Sequence, residues 1–395
     1  MNKMIARRRM ARRERGAVAV QVALFLITLL GCAALAVDIG RWVVVRHELQ
    51  NAADAAALAG AHVLPGQLAA SAVPATWASA ETAANTAATQ YAGANSANGK
   101  AVSAQTILVG YWDVANVPSP VPASLSQTIT SPTDKPAVLV TVGLNGGSNL
   151  PLALGPLFGI SSVRASATAV AIISAPGVAL PGALFPIALN QCIYQNPAFW
   201  SNGQPVAGQE FAIGDGGPSN CTGTAAQWTS LTLSSNPSAY GPCSKNSANS
   251  VQAIDCLMTN GNGPAISVGN DITIQPGVEA SMYNNFPLTP PMQVTLPVVA
   301  DGANMTSTGN GGLMPIVGFA AFQIDYVIGA NGKSTPKCTT DPACLNPPCT
   351  KGVKCVIGHL IANKAGSTTA GGTTSSYFGA VTPPSLAALP SSAWY

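Results

Sequence analysis

The feature that most limits what this chain can fold into is Ala17 to Val37, AVAVQVALFLITLLGCAALAV, a run of 21 residues without a charged side chain. As a helix rising about 1.5 Å per residue it would be about 30 Å long, the thickness of a bilayer's hydrocarbon core. A single segment can satisfy all of its backbone N–H and C=O groups inside lipid only as a helix, so a transmembrane helix is expected. Lys3, Arg7, Arg8, Arg9, Arg12, Arg13 and Arg15 precede it against one acid, Glu14. Basic runs of this kind stay in the cytoplasm, which sends the residues beyond about 40 to the opposite side.

A cleaved secretory signal would have a shorter apolar region followed by ordinary mature sequence. Here the next residues are AVDIGRWVVVRHELQNAADAAALAGA, with neither Pro nor Gly between Arg41 and Leu58. The helix should therefore continue past the bilayer until Gly60, Pro65 and Gly66 stop it. Trp42, Val45, Leu49, Ala53 and Ala56 recur at spacings of three and four and form an apolar stripe, which must be buried on the protein's own sheet or on a partner. Asp38 and Arg41 stand three apart at the membrane exit, where they can pair, and Trp42 suits the interfacial belt.

The run RGAVAVQVALFLITLLGCAALAVDIGRWVVVRHELQNAADAAALAGA resembles the N-terminal region of Tad-type (TadG-like) Flp pilus-assembly proteins. The marks are Arg15 and Gly16, then Ala36 to Arg41, then Leu49 to Ala59. A strand-like Gly110 to Asp113, Val138 to Val142 and Leu157 to Ala169 match the family's continuation, so the resemblance covers residues 15 to about 175. It implies a single-pass protein of a bacterial inner membrane, with a cytoplasmic N-terminus and a periplasmic or extracellular bulk. The implied partners are other pilus-assembly or secretion subunits and the lipid bilayer. Type IV prepilins carry a Gly before the cut and a Glu five residues into the mature helix. Here Gly16 precedes Ala17 but position five is Gln21, so Met1 to Gly16 is expected to stay attached and the chain to be an anchored assembly factor.

From Thr76 to Ala92 the residues suit a second helix, and Ile107 to Trp112, Ala137 to Val142 and Val163 to Ile173 read as strands. Trp112 is assigned to packing. Beyond Ala175 the composition shifts to Pro, Gly, Asn, Ser and Thr, and helical periodicity is nearly absent. Strand-like stretches are Ala183 to Leu189, Ile266 to Ile274, Met292 to Val299, Ile316 to Ile328 and Val356 to Ile361, the last two being candidate partners across a hairpin. Ala365 to Ser376 reads as flexible surface loop. Cys192, Cys221, Cys243, Cys256, Cys338, Cys344, Cys349 and Cys355 all fall in this half, an even number on the side expected to be oxidising, so four disulfides of undetermined pairing are expected. Cys32 lies in the membrane helix.

The resulting fold class is α+β: an N-terminal transmembrane helix extending into a pilin-like helix-on-antiparallel-sheet domain, then a β-rich disulfide-containing module. The expected divisions are 1–15 as a cytoplasmic basic segment, 16–62 as transmembrane and extended helix, 63–175 as the Tad-like α+β region, and 176–395 as the extracytoplasmic module.

Chemistry is sparse. Charged residues are 8% of the chain, about a third of the usual quarter. After residue 15 eleven Lys and Arg face fourteen acids, which excludes the many phosphate contacts that nucleic-acid binding requires. No G-x-S-x-G, H-E-x-x-H or G-x-x-x-x-G-K-[ST] occurs, and His359 is expected to be a structural histidine. The cysteines contain no C-x-x-C, which argues against zinc. Asp215 and Asp301 sit in Gly-rich loops that read as turns rather than calcium sites. The Asp-x-Ser-x-Ser metal motif of those relatives that carry a von Willebrand type A domain is absent. No catalytic residue, cofactor, metal or small-molecule ligand is expected. The leading function is non-enzymatic pilus assembly, and the alternative is a membrane-tethered surface-binding or adhesin module.

Overall fold

The computed structural model describes residues 2–64, 74–128, 130–131, 133–145, 147, 149–201, 204–213, 221, 224–231, 241–243, 251–275, 282–283, 286–302, 305, 312–329, 334–337, 354–370 and 376–390. The fold is α+β. Two compact units make it up: residues 1–56 with 88–107 and 140–169, and residues 57–87 with 108–139 and 170–395.

α1 (Asn2–His62) is one continuous helix of 61 residues. No proline interrupts it, and each of its glycines costs about 1 kcal/mol of helix propensity without blocking a hydrogen bond. Its start lies within the basic segment, so the arginines belong to the same helix as the apolar run. α2 (Pro74–Gly93) opens on proline, whose missing N–H is harmless in a first turn. Its Thr82 and Thr86 hydroxyls donate to the carbonyls of Ala78 and Thr82, which accommodates polar residues inside a helix.

β1 (Ser96–Ala97) and β2 (Lys100–Asp113) form a hairpin around Asn98 and Gly99. Both turn residues have positive φ, 52° and 69°, as a two-residue hairpin loop that follows the strands' twist requires. The sheet continues through β3 (Asp134–Leu144). A separate antiparallel hairpin, β4 (Asn149–Pro151) with β5 (Ser162–Arg164), places Asn149 opposite Arg164. β6 (Ser166–Ile172) then returns to the main sheet, whose order is β1-β2-β3-β6 followed by Ser385–Leu386 from near the C-terminus. Trp112 is fully buried with Ala137, Leu139 and Val170, a packing position.

The second half is β-rich. Its strands are β7 (Pro176–Ala179), β8 (Ile187–Asn190), the small ladder of β9 (Trp200–Ser201) with β10 (Gln204–Pro205), β11 (Glu210–Ile213), β12 (Ala226–Thr229), β13 (Ile266–Ser267), β14 (Asp271–Gln275), β15 (Met292–Val299), β16 (Leu313–Ile328), β17 (Ser334–Thr335) and β18 (Cys355–Ile361). The pairings β16-β14-β12-β8-β15 close on themselves, because β15 also pairs antiparallel with β16 from Met292 opposite Ile324 to Val299 opposite Ile316. A ring of strands has no free edge to recruit other chains. β16 also pairs antiparallel with β18, from Ala321 opposite Ile361 to Ile328 opposite Cys355, the hairpin expected from sequence, and β18 carries β11.

Three expectations need correction. Val251–Asn260 is a helix, α3, in a region expected to lack helices; Ala253, Ile254, Leu257 and Met258 give it a buried face over only ten residues. Ile266 to Ile274 is two strands rather than one, because Gly269 at φ 88° breaks the run. Within Ala365 to Ser376, Thr368–Ala370 is a strand paired with β7, and Thr368 is buried. Trp394 and Tyr395 lie outside the described residues.

Gly358 is where β18 crosses closest to β16: a methyl group there would collide with the Gln323 carbonyl oxygen and the Phe322 ring. Gly358→Ala is therefore expected to force the two strands apart and to destabilise the protein by about 1 to 3 kcal/mol, read as a lowered denaturation midpoint with an unchanged slope.

Candidate functional site at the membrane exit

The lower part of α1 has nothing polar to hide behind. Leu24, Phe25, Ile27, Leu29 and Leu30 are all more than half exposed. An apolar helix surface of this extent marks a contact with a membrane or with other proteins, and the helix is long and apolar enough to cross a bilayer. Mean hydropathy over its most apolar window is 2.5, and 11% of that window is buried.

The character changes at Asp38, which is 6% exposed. Its carboxylate accepts three backbone N–H groups, from Ala153 at 2.8 Å, Leu154 at 3.0 Å and Gly155 at 3.2 Å. Three successive amides aimed at one carboxylate make an anion nest, here filled by the protein itself. The loop can deliver them because Gly155 has no side chain: a methyl group there would strike the Ile160 carbonyl and Leu152. One helical turn on, Arg41 takes different partners. Its Nε and Nη2 donate to Asn98 Oδ1 at 3.3 and 3.2 Å and its Nη1 donates to the Pro151 carbonyl at 3.4 Å. Asp38 and Arg41 thus do not form the ion pair with each other that their spacing suggests; each bonds instead to other segments.

Further along the same helix, Trp42 Nε1 donates to the Arg164 carbonyl at 3.3 Å and the Arg46 guanidinium lies 5.3 Å from the Trp42 ring centre. Glu48 accepts the Asn98 N–H at 2.7 Å, and Gln50 donates to Asp54 at 2.8 Å and to the Thr168 carbonyl at 3.3 Å. Of the predicted stripe, Val45, Leu49, Ala53 and Ala56 are buried within the chain and Trp42 is half-buried. The sequence reading missed Asn98, Glu48 and the 153–155 amides. The Asn98-Gly99 dipeptide is itself a turn signal; the amides left none.

In the other half, Cys192 bonds Cys221 and Cys243 bonds Cys256, which anchors α3. Cys355 is also disulfide-bonded. Cys338, Cys344 and Cys349 lie outside the described residues, as does Asp215, and Cys32 is a free thiol. Asp301 accepts from Asn190 Nδ2 at 2.8 Å.

A second polar cluster lies across β11, β16 and β18. Register places Glu210 and Gln323 opposite His359, and an irregularity between Ile324 and Tyr326 turns Asp325 toward the same group. His359 Nδ1 bonds Asp325 Oδ2 at 2.6 Å, and Gln323 Nε2 donates to Asp325 Oδ1 at 2.8 Å. Metal-binding atoms of Glu210, Asp325 and His359 lie within 4.8 Å of one another, so these three could hold a cation. The bond from Asp325 raises the His359 pKa against the opposing effect of burial. Burial pushes the Asp325 carboxyl up, and the bonds from His359 and Gln323 outweigh it, leaving the pKa lowered.

Two comparisons bear on this geometry. The Flp pilus-assembly TadE/G-like family model matches residues 16–63, and the Tad-like Flp pilus-assembly model matches residues 59–171. No curated protein and no solved structure matches the chain.

Asp38→Ala leaves three amides without their acceptor, so the expected result is a lower melting temperature and faster proteolysis of residues 149–164, with Asp38→Asn intermediate. The His359–Asp325 pair predicts a stability maximum. Its histidine contribution is complete below about pH 6.5 and is lost as pH rises through the elevated His359 pKa. Its aspartate contribution is complete above about pH 4 and is lost as pH falls through the lowered Asp325 pKa. His359→Gln should flatten both limbs of the melting temperature plotted against pH.

Proposed function

Over residues 16–171 this chain is a Tad-type Flp pilus-assembly protein, and from that premise we propose that it is a single-pass inner-membrane subunit that presents a disulfide-stabilised module outside the cytoplasm to other subunits of the pilus machinery. The observation that carries the proposal is that one uninterrupted helix holds both the lipid-facing apolar surface and the Asp38, Arg41, Glu48 and Gln50 bonds that dock it to residues 98 and 149–168. Such a helix is an anchor and a shaft together.

The role is non-enzymatic on this reading. Asp38 and Arg41 spend their charges inside the fold, and the His359 cluster is a cross-strand ion pair. Burial of the Val45, Leu49, Ala53 and Ala56 stripe makes it structural support, which leaves recognition of other subunits to the apolar membrane face of α1 and to the β-rich half. Arginines at one end and disulfides at the other favour a cytoplasmic N-terminus and an oxidising exterior for the rest.

The test combines topology with assembly. A phosphatase fused after Tyr395 should be active, and one fused before Met1 inactive. Detergent-extracted full-length protein should co-purify with pilus-assembly subunits, and deletion should reduce surface pili. Normal piliation without the protein would refute the assembly role. In that case, adhesion of membrane-displayed protein to cells or polysaccharide would support the alternative, a tethered surface-binding module, which the disulfide-bearing strand ring of the second half favours.

A further inference from the structure

Between α1 and the β4–β5 hairpin runs a groove of about 780 Å³, the size of an ordinary ligand cleft. Its helix wall extends from Ile27 to Trp42, and its other wall is built from Leu152, Leu154, Ile160 and Val163. Asp38 marks the end of the uncharged run, so Ile27, eleven residues earlier, lies about 16 Å inside that run. The hairpin therefore descends beside helix residues that belong to the hydrocarbon layer.

Two observations say what the groove can accept. Its polar side chains are already engaged: Asp38 holds three amides, the Thr28 hydroxyl donates to the Leu24 carbonyl at 2.7 Å, and Trp42 Nε1 donates to Arg164. Apart from the Cys32 thiol, a weak donor and weak acceptor, the polar side chains of the lining already have partners. Much of the hairpin's N–H complement is met within the protein. Leu152 N–H donates to the Ser161 carbonyl, residues 153–155 donate to Asp38, Gly159 donates to Pro156 and Ile160 to Gly155, while Pro151 and Pro156 have no N–H to satisfy. Non-helical backbone is excluded from lipid where its polar groups go unpaired; the N–H groups of residues 152–155, 159 and 160 are paired. Residues 150–160, LPLALGPLFGI, carry no charge, and Ile160 is 54% exposed.

We propose that the 149–164 hairpin is a foot inserted in the outer leaflet of the membrane, and that the groove between it and α1 holds phospholipid acyl chains. The groove is continuous with the exposed apolar surface of Ile27, Leu30 and Leu35, which favours lipid over a second protein. This rests on α1 crossing a membrane, and the test separates the two claims.

Full-length protein carrying Cys32→Ser and either Ile160→Cys or Leu24→Cys is labelled with an environment-sensitive fluorophore and reconstituted in phosphatidylethanolamine and phosphatidylglycerol vesicles. Quenchers are lipids spin-labelled on the acyl chain and aqueous iodide. The expected result is that both labels lose most of their emission to the spin-labelled lipid and little to iodide. If Leu24 is lipid-quenched while Ile160 is quenched by iodide alone, the foot is wrong and the membrane helix stands. If Leu24 is open to iodide, the membrane reading itself fails. Protection of Ile160 from both quenchers, with crosslinking to another polypeptide, would assign the groove to a protein helix and overturn the lipid proposal. A label at Leu152→Cys repeats the reading should Ile160→Cys not fold.

Discussion

A carboxylate placed where the uncharged run of α1 ends decides how this protein is put together. Lipid can solvate the apolar side chains of α1 but not an ionised acid, so Asp38 must find donors within the protein or face water. It finds three consecutive backbone amides of the 153–155 segment. That one interaction settles two costs together, since the amides too would otherwise lack partners. Arg41, a turn later, fixes the Asn98 turn and the Pro151 carbonyl, and Glu48 takes the Asn98 N–H. The helix is thereby committed to a fixed register against the segments it carries.

How far the sequence reveals this depends on the range of each interaction. The long apolar helix, its extension and the β16–β18 hairpin are legible because period and composition alone carry them: an unbroken uncharged run, apolar residues every three or four, and β-branched runs flanked by turn formers. Met292–Val299 is a strand with the limits its composition suggests. The destination of Asp38 is not legible, because its partners are backbone groups 115 to 117 residues away, and an amide looks the same in every residue. Spacing on the helix brings Arg41 to mind first, and the nearest charge is not the strongest bond.

The strand ring shows a different limit. Closure depends on β8 running parallel to β15, with Val298 opposite Leu189, and nothing local distinguishes a parallel neighbour from an antiparallel one in short apolar strands. α3 escaped notice since ten residues among Asn and Ser carry too little periodicity, and its Cys256 link to Cys243 becomes informative only once pairing is known. His359 was legible as a strand residue but its companions were not, since Asp325 joins it through an irregular register that no alternation pattern predicts.

The continuity of α1 has a mechanical consequence. A chain that entered its folded region through a flexible linker could let the anchor tilt or rotate while the region kept its own orientation. Here residues 38, 41, 48 and 50 belong to the same continuous helix that carries the apolar run, with no break among them. Any lean or twist imposed on the embedded portion must be carried by the segments fastened to it, and a sideways load felt by those segments must return as torque on the anchor.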